Sequence, residues 1–457
     1  MKIIAEHPLV WIITETEMED RLDAQGCHPT KINMITTLKH ISEMHRWEIC
    51  KLTDVAKVLH QSLNPQNYPN VDFIHIGVGD INSVTGWAVE QKVKGMKLLS
   101  QKVIFKKGDI LFSKIRPYLN KVTLIPKSLV WGLGSSEFYV IRTKEEQMRY
   151  YLLAYLRSKL TLKQTVPPLT GSSRPRLRKE DIEDIKILIP ETTLFEKIGK
   201  KVKVAEELRD DARKIYLELE SLQEKLKLVI PKVKETITLH VKSDELVTRL
   251  DSEFYYYRNE ILKVLQKYPY KIKPFNEVVF LSKKRTNPTK TPTKKIMYVE
   301  ISDVNPNTGE VENWSEILGS ETPSRARMIL KKGNIVLSSL KGSLRSIAII
   351  PPELDNAIGT TGFFVLEPNN EVINKESLWW VLRTDVCQRQ LEQIASGAIM
   401  PSINEKELKK VMIPIPPSEV QEEIKDKVEK IQKLRRKANE LVKEAIIDIE
   451  KLTEGRK

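Results

Sequence analysis

The stretch KKGDILFSKIRPYLNKVTLIP, Lys106 to Pro126, returns as KKGNIVLSSLKGSLRSIAIIP, Lys331 to Pro351, at an offset of 225. Eight of the 21 positions are identical, where composition alone gives about one, and five of the other thirteen exchange one apolar residue for another. Working outward, SSEFYVI from Ser135 matches TTGFFVL from Thr360, and GSSRPRLRKEDIEDIKILIP from Gly171 matches GAIMPSINEKELKKVMIPIP from Gly397. Upstream, Arg21-Leu22-Asp23 pairs with Arg249-Leu250-Asp251, and FIHIGVGDINSVTG from Phe73 with YVEISDVNPNTG from Tyr298. Matches in the same order along both halves make the chain one unit written twice.

Each copy has two parts with different periodicity. The first, roughly 24 to 190 and 252 to 416, mixes short β-branched and aromatic runs with Gly, Pro and Asn turn signals. It adds helix-like stretches, QMRYYLLAYLRSKL and ESLWWVLRTDVCQRQL, which together indicate an α+β domain. The second part repeats at heptad spacing: Ile198, Val202, Ala205, Leu208, Ala212, Ile215, Leu219, Leu222 and Leu226. Adding 226 gives Ile424, Val428, Ile431, Leu434, Ala438, Leu441, Ala445 and Leu452, with Asp448 as the one polar position. An apolar stripe is ordinarily core packing, but its recurrence after each domain favours a mutual coiled coil. Two equivalent units pack about a pseudo-two-fold axis, so the helices are expected to run antiparallel with a globular domain at each end. The expected domains are 1–193 and 236–417, with spacer helices at 194–235 and 418–457. From Ile198 to Leu226 there are 28 steps, about 42 Å of helix against the roughly 34 Å of one DNA turn.

At 457 residues the chain has room for two sizeable cores. Lys plus Arg number 75 against 61 Asp plus Glu, a formal +14, which favours a polyanionic partner, nucleic acid before membrane. Cys27, Cys50 and Cys387 are odd in number, far apart and without a CxxC, which argues against a disulfide framework or zinc knuckle. The opening MKIIAEHPLVWII is broken by Glu6, His7 and Pro8, and no run approaches eighteen apolar residues, so a soluble, cytoplasmic protein without a membrane segment is expected.

Catalytic motifs are missing: no HExxH, GxxxxGK[ST] or GxSxG occurs. Gly77-Val78-Gly79 is a lone GxG and reads as a turn. Ser338 and Lys341 spell S-x-x-K, but the sister copy has Ser113 and Arg116 there, and arginine cannot act as the base. The seven histidines have no duplicated counterparts and no metal-ligand spacing. The recurring chemistry is basic and polar. Ser113, Lys114, Arg116, Tyr118, Asn120 and Lys121 follow one strand, and Ser338, Ser339, Lys341, Ser343 and Arg345 follow its repeat. Arg174, Arg176 and Arg178 trail Gly171, and Lys283, Lys284 and Arg285 open an acid-free basic run to Lys295. Such side chains contact phosphates and base edges, although charge runs are more often solvated faces.

Two domains each opening near R-L-D, carrying G-D-I-L-x-S-like and G-S-x-x-P-x-L-like segments, closing on an I-P-I-P-like strand and followed by a long helix, resemble the specificity subunit of type I restriction-modification systems. The resemblance covers nearly the whole chain. It implies two target recognition domains that read the halves of an asymmetric, bipartite double-stranded DNA site. The helices would space the halves and hold methylation subunits, with a restriction subunit joining them. It further implies a chain without catalysis or cofactor of its own, S-adenosylmethionine, ATP and magnesium belonging to the partners. Carried over, the matching segments are Gly108 to Lys121 and Gly171 to Arg178, then Gly333 to Arg345 and Gly397 to Asn404. The second copy departs by reading Ala398-Ile399-Met400 where the first has Ser172-Ser173-Arg174, and Gly26-Cys27-His28 stands where the second has Phe254-Tyr255-Tyr256. The alternative is a coiled-coil assembly scaffold with protein-binding end domains, which would lack the steep salt dependence of phosphate contacts.

Overall fold

The computed structural model describes residues 2–6, 9–12, 27–166, 169, 175–231, 241, 252–397 and 399–454. Both R-L-D segments and Arg174 lie outside them.

In chain order the first half holds β1 Lys2–Glu6, β2 Leu9–Ile12, α1 Pro29–His45, β3 Glu48–Lys51, α2 Leu52–Val55, β4 Ala56–Leu59, β5 Ser62–Leu63 and β6 Asp72–Ile76. It continues with β7 Gln91–Lys94, β8 Lys102–Lys106, β9 Ile110–Ser113, β10 Val122–Leu124, β11 Trp131–Gly134 and β12 Phe138–Thr143. Then come α3 Glu146–Arg157, α4 Lys159–Thr165, α5 Lys179–Glu183, β13 Lys186–Ile189 and the long α6 Thr192–Lys225. The second half holds α7 Ser252–Lys267, β14 Ile272–Pro274, α8 Phe275–Val278, β15 Val279–Leu281, β16 Lys295–Val299, β17 Val304–Asn305, β18 Glu310–Val311 and β19 Ser315–Leu318. After these are β20 Ala326–Ile329, β21 Ile335–Ser338, β22 Ile347–Ile349, β23 Ile358–Thr360, β24 Phe363–Pro368, α9 Lys375–Arg383, α10 Asp385–Ile394, α11 Glu405–Leu408, β25 Met412–Pro414 and the long α12 Ser418–Lys451.

Among the described residues the duplication is realised in the sheets, with β5 an added edge strand in the first half. In the first half β10-β9-β12-β4 form one sheet, and in the second β22-β21-β24-β15 repeat it. A second sheet runs β5-β8-β11-β6-β7 against β20-β23-β16-β19, and in both copies the same pair, β11 with β6 and β23 with β16, is the parallel one. A third pairing, β13 with β3, recurs as β25 with β14. The quoted KKG segment makes the same turn twice. Gly108 and Gly333 both sit at φ +82°, where a side chain is strained. Asp109 accepts from the Lys106 amide at 2.7 Å, and Asn334 does the same for Lys331 at 3.0 Å.

The helix-like stretch after β12 is two helices rather than one. Ser158 and its counterpart Thr384 are extended, and their hydroxyls donate to Tyr155 O at 2.7 Å and Val381 O at 2.6 Å. A hydroxyl bonding back to the preceding turn competes with helix continuation, and both breaks stand at the same repeat position.

The chain divides into two compact units, Met1–Ala212 with Lys433–Lys457, and Arg213–Gln432. Each unit therefore combines one α+β domain with a segment of both long helices. In the first unit these segments run antiparallel: the Lys201 ammonium meets Asp448 at 2.8 Å and Glu444 at 3.0 Å, and Arg209 meets Asn439 at 3.3 Å. Asp448, the polar exception in the heptads, is thus an ion-pair partner. Ala205, Ala438 and Val442 pack between the helices, flanked by Leu208 and Leu441. Ile198, Val202, Ala445, Ile449 and Leu452 join the domain core with Tyr151, Tyr155 and Leu188. The apolar stripe thus serves helix pairing at one level and domain core at the next, because small alanines admit close helix approach while longer side chains reach the sheet. Ala212 is buried as well. In the second unit Leu219, Leu222, Leu226, Ile424, Val428 and Ile431 are buried, Ile215 is half-buried, and Lys427 pairs with Glu218. Leu434, in the first unit, is half-buried.

Candidate nucleic-acid interface

In each domain a strand end opens into a turn that is tied by backbone hydrogen bonds to a second loop. After β9, Arg116 N donates to Pro175 O at 2.9 Å and Leu177 N to Lys114 O at 2.8 Å. After β21, Lys341 N donates to Pro401 O at 2.9 Å and Ile403 N to Ser339 O at 2.8 Å. The proline of each G-x-x-x-P-x-[LI] segment supplies a carbonyl and the Leu or Ile two residues on supplies an amide. Ile115 with Arg176 and Leu340 with Ser402 complete the clamp as isolated bridges. Two separated loops become one two-loop edge, so the predicted clusters at 113–121 and 176–178 come together, as does the cluster at 338–345 with the matching segment at 399–404.

The side chains on this edge differ between the domains. In the first, Ser113 is buried and donates to Ile115 O at 2.8 Å. The Lys114 ammonium donates to Ser136 O at 2.7 Å and lies 4.9 Å above the Tyr139 ring, and burial lowers its pKa. Lys121 donates to Ile81 O at 2.7 Å and is likewise lowered by burial. Arg116 and Asn120 hold left-handed backbone at φ +46° and +52°, and the Asn120 amide donates to Arg157 O at 2.9 Å. Arg176 pairs with Glu137, and Arg178 meets Asp181 at 3.3 Å. Tyr118, 47% exposed, forms the outer surface of the turn with Leu119.

The second domain holds its turn with hydroxyls. Ser338 and Ser343 share a hydrogen bond of 2.8 Å, and the Ser339 hydroxyl donates to Gly362 O at 2.9 Å. Ser338 is fully buried and bonds to Ser343, which agrees with a polar loop. Lys341 and Arg345 are exposed, Arg345 standing 3.7 Å from Asp385. The tip of the second loop carries Ile399 at 95% and Met400 at 68% exposure, on a base where Ser396 and Ser402 exchange both backbone hydrogen bonds. Lys283, Lys284 and Arg285 are exposed on the connection after β15. Lys283 lies close enough to Glu405 to join Lys409 in holding that carboxyl below its usual range. An open cavity of about 230 Å³ beside Lys341 is lined by Glu253, Phe254, Tyr257, Arg389, Glu392 and Gln393.

Beneath each turn lies an arginine whose role is not visible in the sequence. Arg157 is buried and donates to Val122 O at 2.8 Å, Asn120 O at 3.3 Å, Val84 O at 2.8 Å and Ser83 O at 3.1 Å. Its counterpart Arg383 donates to Asn307 O at 2.6 Å and Arg345 O at 3.2 Å. The repeated Thr-Gly before them follows from this. Gly86 and Gly309 lie at φ +71° and +67°, and a Cβ there would meet the Arg157 and Arg383 guanidinium nitrogens at 2.3 and 2.7 Å. The signal that could have found these arginines is their offset of 226, shared with the heptad positions.

Among the described residues, no group of three or more His, Cys, Asp or Glu is placed to hold a metal ion, and no helix is long and apolar enough to cross a membrane. Burial pushes the Cys50 and Cys387 thiols up to about 12, so neither is a thiolate nucleophile at neutral pH. Gly77-Val78-Gly79 is a turn in which Gly77 N donates to Asp80 at 2.6 Å.

The family model of the type I restriction modification DNA specificity domain matches residues 44–214 and again 267–451. The matches cover well over half of the chain, and the chain belongs to that family. It is similar to the specificity subunit of the type I restriction enzyme EcoDI of Escherichia coli, 27% identical over 147 residues, 32% of each chain. To the HindI specificity subunit of Haemophilus influenzae it is 28% identical over 127 residues, 26% of this chain and 28% of that one. The aligned stretches span about a third of these relatives' length. Among solved structures it is similar to the HsdS subunit from Thermoanaerobacter tengcongensis, at 19% identity over 90% of this chain and 97% of that one, TM-score 0.33. The type I S subunit from M. genitalium gives 14% identity, 89% and 95% coverage and a TM-score of 0.39.

Proposed function

We propose that this chain is the DNA-specificity subunit of a type I restriction-modification complex, acting in the cytoplasm. It recognises an asymmetric, two-part double-stranded DNA site, one half per domain, and carries no catalysis itself. Its long helices present the domains to methylation subunits, which would bind S-adenosylmethionine, and to a restriction subunit using ATP and magnesium. The observation that carries this reading is the backbone clamp built twice with different side chains on its edge. One scaffold repeated with two unlike surfaces is what reading two unlike half-sites requires, since phosphate contacts position a protein and side chains at base edges specify the sequence. The family match over both halves supports it.

The chain, purified with a methylation subunit, should select from random DNA two unlike halves around unspecified bases, and methylate them. The chain alone should transfer no methyl group. A palindromic consensus, or affinity that is flat with salt, would overturn the reading, because phosphate neutralisation releases counterions.

A further inference from the structure

In the first unit the turn after Gly86 is seated on the long helices in a way the repeat does not predict. Trp87 lies between Arg209 of α6 and Arg435 of α12, each guanidinium carbon 5.4 Å from the ring centroid. The two arginines are one repeat position, 226 apart, and both are buried, at 6% and 7% exposure. Arg209 also donates to Thr85 O at 2.6 Å and Asn439 at 3.3 Å, and pairs with Glu206 at 2.7 Å. The other side of the same turn is held by Arg157, through Ser83 O and Val84 O. That arginine also holds Asn120 O and Val122 O at the end of the recognition turn, while Lys121 reaches back to Ile81 O. A path therefore runs from helix to recognition turn through hydrogen bonds at both ends and the backbone of Ser83–Thr85 between them: Arg209 to Thr85 O, then the Ser83 and Val84 carbonyls to Arg157, and Arg157 to Asn120 O.

Apolar packing alone would seat a domain on a helix pair with less penalty. Each buried guanidinium gives up its hydration, a cost that apolar side chains do not carry. Burial and the neighbouring Arg209 charge lower the Arg157 pKa, and burial raises that of Glu206. What arginine adds over leucine is direction, since its planar donors bond only to acceptors in particular places and its face stacks only on a correctly turned ring. The second copy has Glu310 where the first has Trp87, after the shared Thr-Gly.

We infer that Trp87, Arg209 and Arg435 are positioning residues that fix the stance of the first recognition turn on the helix pair, and thereby select which spacer between the half-sites is accepted. This rests on the proposed function. The full chain, with its methylation subunit, is used to select DNA from a pool randomised in both halves and in spacer length. Trp87→Ala and Arg209→Ala should return the wild-type half-site sequences while the preference for the wild-type spacer over one base pair more or less falls about tenfold. Arg435→Lys, which keeps the charge and loses the stacking plane, should give a smaller broadening and serves if the other variants fail to fold. A purely structural role predicts a lower melting temperature and weaker binding to every spacer alike. An unchanged spacer preference in the folded variants would overturn the inference. If the wild-type chain itself selects no two-part site, the proposed function fails, a result distinct from selection with an unmoved spacer.

Discussion

The two recognition domains repeat a backbone and diverge in what holds it. Both clamp the turn that follows one strand, β9 or β21, to a proline carbonyl. The first domain turns Lys114 and Lys121 inward onto carbonyl oxygens and pairs Arg176 and Arg178 with carboxylates. The second uses serines for the same task and leaves Lys341 and the Lys283–Arg285 run exposed. Backbone hydrogen bonds are indifferent to side-chain identity, so a loop edge supported by them can change its side chains without losing its shape. The contrast extends below the edge, where Arg157 is buried with four carbonyl acceptors and Arg383 is half-buried with two.

That difference can be broken directly. Arg157→Ala should destabilise the first domain by about 3 kcal/mol, because buried carbonyls lose their donor, whereas Arg383→Ala should cost its domain about 1 kcal/mol. Hydrogen exchange resolved by domain would measure both, and equal losses would remove the asymmetry. A matched pair tests the shared part. A Cβ on Gly95 would stand 2.2 Å from Tyr68 O, and one on Gly319 2.2 Å from Thr291 O. Gly95→Ala and Gly319→Ala should therefore each cost about 2 kcal/mol, read as equal drops in the protection of the two domains.

On DNA, replacing Lys283, Lys284 and Arg285 with Ala should make the salt slope of binding shallower by about 0.9 for each phosphate no longer neutralised. The same change at Arg176 and Arg178 should move the slope less, since both already face carboxylates. A larger change in the first domain would reverse the assignment of its lysines and arginines to internal support. The smallest effect on stability is expected at the exposed tip. Ile399→Ser with Met400→Ser should leave unfolding within about 0.5 kcal/mol, while the selected second half-site changes and the first does not.

Much of this comparison was legible in the residues. The repeated KKG[DN] turn carries its geometry locally, through a positive-φ glycine and a side-chain cap. The heptad stripes did the same for α6 and α12, although the ion pair of Asp448 with Lys201 emerged only with the structure. The roles of Lys114 and Lys121 were not legible, because a lysine that bonds a carbonyl has the same sequence signature as one that faces solvent. Arg157, Arg209 and Arg435 read as ordinary helical charges until the Thr-Gly turn is brought against them. The repeated G-x-x-x-P-x-[LI] segment marks one side of the clamp, but its partner was not legible, because the bonds join backbone atoms about sixty residues apart, which side-chain chemistry does not record.

The first unit is completed by the far end of the chain, since Ala445, Ile449 and Leu452 belong to the core that Tyr151, Leu188 and Ile198 begin. During synthesis, at about 5 to 20 residues per second, the domain made first must wait for the helix made last. Roughly 250 residues, an entire sister domain among them, emerge before that core closes, at an interval on the order of 10 to 50 seconds. Until then the place of that helix is open to a copy of the same helix, the α12 of another chain. An exchanged dimer is therefore the natural misassembly of this protein, and chains translated close together on one message are where it would arise.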